Sequence, residues 1–377
     1  MRAVAIPAPG ELRIDEVPEP PLDDYRALVQ ILTGTICNGT DAKILAGHFP
    51  PGAGFPRILG HETIGRVVEV GARVRSFRVG DLVLRPVAVM PGERLGAYYS
   101  GFGGFAERGV VVDGRAFCED HPPPEHGRAH RWWPQQQVVG PDFDPRLAGV
   151  FITFKETLSF ARDLGVGPGL SVLVLGSGPV GFAFARSAKL LGASPVVVLG
   201  RRAERLALAA AFGADATIDA SREDPVAAIR ALTDGRGADR LIEAIGDVAL
   251  LERSVRLLAR GGEIGVYGVP PGGRRVTLDF AAESSPGQYA VRFMSPREHA
   301  VHDWALGLVR SRAVDLEPFI THELPMAEVG RGFDLLGESR TLKVVLHADL
   351  RARQGLSPKE PTTESARLLD PSKVSGG

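Results

Sequence analysis

From about residue 149 the chain alternates two kinds of apolar run. The short runs "GLSVLVLG", "SPVVVLG", "DRLIEAIG" and "EIGVYGV" read as buried strands. Between and before them, "ETLSFARDLGV", "PVGFAFARSAKLLGA", "AERLALAAAFGA" and "LLERSVRLLARGG" carry apolar residues at helical spacing. Strand and helix taking turns predicts a parallel sheet covered on both faces. Residues 1 to about 112 follow another pattern. There "RALVQILTGTI", "GRVVEVG" and "GDLVLRPVAV" are β-branched-rich strands bounded by glycine or proline, which predicts a compact antiparallel, barrel-like unit.

Residues 115–147 interrupt both patterns with three histidines, a proline triplet and the Trp132-Trp133 pair, so the segment is either functional or a disordered insertion. After about Pro286 come two helices, "PREHAVHDWALGLVRS" and "AEVGRGFDLLG", and a closing strand, "TLKVVLHA", which return to the first unit. The domains expected are therefore 1–148 with 286–349, then 149–285, with 350–377 as a polar, flexible tail.

Composition narrows the function classes. A formal net charge of −1 gives no overall field for nucleic acid or anionic lipid. No apolar run approaches the roughly 20 residues of a membrane helix, and the N-terminus lacks the apolar core of a secretory signal. Cys37 and Cys118, the two cysteines, suit a reducing cytoplasm and cannot build a disulfide framework.

The run "VLVLGSGPVG" sets Gly176, Gly178 and Gly181 in the spacing G-x-G-x-x-G between a strand and a helix. The first glycine permits the turn, the second admits a pyrophosphate, and the third lets helix and strand pack closely. Pro179 and Val180 open the helix whose N-terminal amides and dipole attract the phosphates. An NAD site usually places Asp or Glu at the end of the next strand. Here Gly200 holds that place, followed by Arg201 and Arg202. Guanidinium groups suit a dianionic phosphate, which favours NADP(H) over NAD(H). The alternative is two solvated arginines opening a helix, with NAD held by backbone alone.

In "ILGHETIGRVVEVGARV", His61 and Glu62 stand side by side where a loop enters a strand. With "CNGTDAK", "GDLV", "GGFAE" and "GSGPVG" in this order, the chain resembles the zinc-dependent medium-chain alcohol dehydrogenase family over about residues 1–348. The resemblance implies an α/β fold: a GroES-like β-barrel catalytic domain, completed by the C-terminal segment, and a Rossmann doubly wound domain. It implies one catalytic Zn²⁺, held by Cys37, His61 and Glu62 as in the polyol-dehydrogenase branch. A thiolate, an imidazole and a carboxylate hold Zn²⁺ and leave a position open for substrate.

Three departures from the family pattern bear on the site. An extra residue in Cys37-Asn38-Gly39-Thr40-Asp41 leaves open whether Cys37 or Asn38 faces the metal, makes Thr40 the candidate proton relay, and leaves Asp41 to orient a ligand. The glutamate often opening the helix before the Rossmann strand falls on Ile152, with Glu156 one turn on as a candidate substitute. Lys155 and Thr157 beside it are candidates for nicotinamide or substrate contacts. The four-cysteine lobe is replaced by "VMPGERLGAYYSGFGG", so no structural zinc is expected.

The activity implied is NADP(H)-linked interconversion of a secondary alcohol and its ketone. A polyol, sugar or cyclitol is among the candidate substrates, with Trp132, Trp133 and Gln135–Gln137 lining its cleft. The alternatives are a zinc-free quinone or enoyl reductase and a dinucleotide-binding protein without turnover. By resemblance the chain is a homodimer or homotetramer, its sheets meeting through "EIGVYGV".

Overall fold

The computed structural model describes residues 1–49, 54–121, 133–270, 275–277 and 289–350. Trp132 and, apart from Leu350, the expected tail lie outside them. The described residues form two compact units, one of Met1–Ile152 with 302–350, the other of Thr153–Val301. The first break falls inside the helix Ala148–Asp163. The second falls at 302 rather than at the expected 286, because Tyr289–Phe293 is a further strand of the parallel sheet.

That sheet has six strands, in the order Ala216–Asp219, Val196–Gly200, Val172–Leu175, Ala238–Glu243, Leu258–Val266 and Tyr289–Phe293. Its pairings are parallel throughout. Central strands such as "VLVL" and "VVVLG" are buried residue by residue, as a sheet covered on both faces requires. The run "EIGVYGV" is not at the edge: Leu258–Val266 is paired on both sides, and Tyr289–Phe293 ends the sheet. The expected helix over "AERLALAAAFGA" is one α-turn, Ala203–Leu206, and then a 3₁₀ turn, Ala209–Phe212. Bonds from i to i+3, Leu208 N–H to Arg205 and Ala211 N–H to Leu208, tighten the chain there.

The other unit is built from two sheets. The larger runs Val138–Val139, Leu82–Leu84, Glu62–Val70, Arg26–Thr35, Lys343–His347, Ile320–Pro325, with Arg108–Val112 also on Arg26–Thr35. The smaller runs Arg13–Glu16, Arg2–Ile6, Arg57–Leu59, Tyr98–Gly101, Arg94–Leu95. The strand expected over "GDLVLRPVAV" stops at Leu84, because Arg85 takes a φ of 57° and turns the backbone. Gln136, expected in a substrate cleft, is an internal brace instead. Its amide accepts from Val112 N–H and donates to the carbonyls of Arg85 and Val110, so buried backbone groups consume it.

Ile36, Ile44, Leu59, Phe105, Val344 and Leu346 share one buried cluster. Ile36 and Ile44 are fully buried and bracket the short segment that carries Cys37 and Asp41. The loop is thereby held by its neighbours in sequence, at about 1.5–3 kcal/mol for each buried side chain.

Candidate functional site

Cys37 follows the long strand Arg26–Thr35, and Glu62 begins the strand beside it, paired with Thr35. One ligand atom each from Cys37, His61 and Glu62 lies within 4.8 Å of the others. Asn38 is exposed. The extra residue is thus taken up in the loop, and Cys37, not Asn38, joins the cluster. Gly39 adjoins the sulfur: a Cβ there would lie 4.0 Å from Cys37 Sγ, an ordinary contact.

Asp41, fully buried on the helix Thr40–Leu45, ties the cluster together. One carboxylate oxygen accepts from Cys37 N–H at 2.9 Å, and the other lies 2.9 Å from His61 Nδ1. With Nδ1 engaged, Nε2 is the nitrogen available to a metal. Burial opposes charge on His61, but the Asp41 carboxylate and the Cys37 sulfur outweigh it and hold the imidazole pKa well above its ordinary value. Thr40 starts the helix, its N–H 3.5 Å from Cys37 Sγ.

Glu62 is buried with Lys343, whose Nζ donates to both carboxylate oxygens at 2.9 and 2.6 Å. Arg85, also buried, donates from Nη1 to the His61 carbonyl at 2.9 Å. Beside the imidazole stands Phe102, its ring centroid 5.1 Å away. Sequence reasoning missed Lys343 and Phe102. The signal for Lys343 was a single lysine in the apolar strand "TLKVVLHA".

In the second unit, Gly176 has φ 124° and closes the turn before the helix Pro179–Leu190. A Cβ on Gly181 would collide with the Gly176 carbonyl, which is the close packing the motif needs, and Gly178 faces open space. The helix has no side-chain cap, so its first-turn amides, at Val180 and Gly181, are left for a ligand. Gly200 is buried at the end of its strand, and Arg201 and Arg202 are exposed beyond it. Glu243, missed in the sequence, braces the next loop by accepting from Ile245 and Gly246 N–H at 2.8 Å. Burial raises its pKa against the pull of those amides.

Ile152 is fully buried and offers no ligand. Lys155 is fully buried on the helix Ala148–Asp163. Glu156 accepts from the Tyr267 hydroxyl at 2.9 Å. Tyr267 packs edge-on against Phe160 and Phe184. Thr157 is spent within the unit: its hydroxyl donates to the Phe154 carbonyl and meets Ser187 Oγ at 3.1 Å. It is a contact between helices rather than a ligand contact.

With this geometry in place, the chain was compared with known proteins. Residues 23–119 match the alcohol dehydrogenase GroES-like domain, and residues 179–296 the zinc-binding dehydrogenase domain. The L-threonine 3-dehydrogenase of Symbiobacterium thermophilum is 30% identical over 359 residues, 90% of this chain and 95% of that one. The alcohol dehydrogenase TADH from Thermus sp. ATN1 superposes with a TM-score of 0.76 at 27% identity, covering 92% and 99% of the two chains. A protein of Sinorhizobium meliloti 1021, described as a zinc-binding dehydrogenase and solved bound to NADP, superposes with a TM-score of 0.73 at 26% identity, covering 92% and 98%.

Proposed function

Because this chain belongs to the zinc-dependent medium-chain alcohol dehydrogenase family, and so is an oxidoreductase acting on alcohol groups, we propose that it interconverts a secondary alcohol and its ketone with NADP(H), using Zn²⁺ held by Cys37, His61 and Glu62. The observation that carries the reading is the convergence of those three donors within 4.8 Å, with His61 Nδ1 already taken by Asp41. The donor set suits the ion. Sulfur, nitrogen and oxygen are all acceptable to Zn²⁺, and three protein ligands leave a position open, as catalytic zinc requires. Lys343 keeps Glu62 from standing as an uncompensated buried anion. When bound, Zn²⁺ supplies Lewis acidity to the substrate oxygen.

The chain's own residues do the rest. Asp41 fixes the imidazole tautomer and the Cys37 backbone together, so two donors share one orienting carboxylate. Thr40, at the start of the helix beside Cys37, is the hydroxyl proposed to pass the alcohol proton onward. The nicotinamide, when bound, would supply the acceptor for the hydride that the alcohol gives up along with that proton. Metal analysis tests the reading: about one zinc per chain, with activity lost to a chelator, is expected. Activity that survives a chelator in zinc-poor protein would favour the zinc-free alternative.

NADP(H) is preferred because Gly200 presents no carboxylate and Arg201 and Arg202 stand exposed beyond it. Arg201→Ala is expected to raise the KM for NADPH about tenfold or more, the worth of a charge-assisted hydrogen bond. The KM for NADH should change less than about twofold by the same reasoning. Steady-state kinetics with both cofactors checks this, and equal effects would remove the argument.

The chain is further proposed to form a homo-oligomer through Tyr289–Phe293. This strand ends the parallel sheet, its outer edge has no strand partner among the described residues, and Phe293 is 70% exposed. An apolar open edge is a template for pairing with a second copy. Val291→Pro is expected to turn the oligomer into a species of the 40.2 kDa chain mass on light scattering.

A further inference from the structure

The stretch "SGFGGF" places glycine on both sides of Phe102, which shares a left-handed backbone with Gly103. Phe102 has φ 71°, in the left-handed region that L side chains rarely adopt. The conformation is pinned from several directions. Phe102 N–H donates to Ser100 Oγ at 3.2 Å. Leu59 bridges Phe102, Gly103 N–H donates to the Ile58 carbonyl at 3.0 Å, and Gly104 N–H to the Gly60 carbonyl at 2.7 Å. Of these partners, Ile58, Leu59 and Gly60 lead directly into His61. A strained residue held in place by its surroundings points to function at that residue.

The ring's position says what the function is. Phe102 lies 5.1 Å from the His61 ring, tilted by 46°, and Phe49 stacks on Phe102 at 6.4 Å and 19°. Both phenylalanines pack only partly into the core and keep part of their surface outside it. We propose that Phe102, backed by Phe49, forms an aromatic shelf beside His61 that selects secondary alcohols and ketones carrying an apolar ring, cycloalkyl or aryl, over small aliphatic and polyhydroxylated ones. The inference rests on the zinc-dehydrogenase reading above. A substrate whose oxygen is bound at the His61 cluster has its carbon skeleton within reach of this shelf. The rings offer no hydrogen-bond partner, so each hydroxyl of a polyol laid against them would lose water without replacement. A flat apolar face gains contact area and offset stacking instead.

The test uses the zinc-replete enzyme with NADP⁺ on cyclohexanol, 1-phenylethanol, 2-propanol and myo-inositol. The wild type is expected to prefer the first two. Phe102→Ala and Phe102→Gly should each cut the cyclohexanol to 2-propanol ratio of kcat/KM by about tenfold, the scale of lost apolar pocket contact. Phe102→Tyr should retain most of it. A second readout is independent of turnover: saturation-transfer NMR should show cyclohexanone ring protons touching wild-type protein and losing that signal in both truncations. Thermal melts separate strain from selectivity. Phe102→Gly should melt above Phe102→Ala, because only glycine relieves the positive φ while both lose the ring. Alcohol oxidation with an unchanged ratio in both truncations, or a preference for myo-inositol, would overturn the shelf alone. No hydride transfer with any alcohol would overturn the dehydrogenase reading and the shelf with it.

Discussion

Cys37→Ala is expected to lower kcat/KM by about 10³-fold or more and to leave the protein with little zinc after dialysis. The substitution removes a ligand and, with it, the metal's contribution to rate. A thiolate is among the tightest ligands available to Zn²⁺, and His61 with Glu62 alone make a two-donor site. Lewis-acid stabilisation of the reacting oxygen is worth several kcal/mol, and each 1.36 kcal/mol is a factor of about ten in rate. The fold should survive, because Cys37 is only partly buried and the packing of its loop belongs to Ile36 and Ile44. Zinc content, kcat/KM and a thermal melt on the same preparation check all three statements. Full activity with a full complement of zinc would show that the ion does not depend on this sulfur. Asp41→Asn should be milder, about 10–100-fold in zinc affinity, since it disturbs orientation rather than removing a ligand.

Lys343→Met should cost about 3–5 kcal/mol of stability in metal-free protein, the usual loss when one member of a buried ion pair is removed. Water barely screens the pair: both side chains are 3% exposed, and Nζ contacts both oxygens of Glu62. What remains is a buried carboxylate without its lysine. Two further measurements make the interpretation sharp. Adding Glu62→Gln to the variant should recover most of the loss, since neither charge then needs a partner. Saturating Zn²⁺ should also shrink it, because a cation returns to the same carboxylate. Urea titrations of the single and double variants, with and without zinc, read the whole set. A single variant as stable as the wild type would mean that Glu62 finds its compensation elsewhere.

The parts of the fold that were legible in the sequence were those whose physics is local. The turn at Gly176 and the close packing at Gly181 are legible from spacing because both occur within six residues. His61 and Glu62 were flagged because the pair is adjacent and sits where a loop enters a strand. Cys37 was ambiguous for a physical reason: an extra residue can bulge a loop or shift its register, and only the three-dimensional path, with Asn38 turned to solvent, separates these. Gln136 was misread because an amide serves a sugar hydroxyl and a buried backbone group equally well; the deciding fact, three barrel backbone groups around it, is remote in sequence. The Ala-rich stretch from Ala203 has every propensity for helix, yet it breaks into two short turns, so tertiary placement overrides local preference there. Phe102 carried no sequence signal at all, because strain depends on a φ angle that surrounding glycines would lead one to assign elsewhere.

The pairing of Glu62 with Lys343 spans 281 residues, about three quarters of the chain, and so has a consequence for synthesis in the cell. At about 5–20 residues per second, the ribosome releases the carboxylate roughly 15–55 seconds before the lysine that neutralises it. Through that interval the nascent barrel carries an acidic residue where its interior should close, while Cys37 and His61 have already emerged. A free metal ion captured early would therefore act as a folding aid for the growing chain, and nascent chains halted short of residue 343 should be rescued from proteolysis by zinc more than the finished protein is.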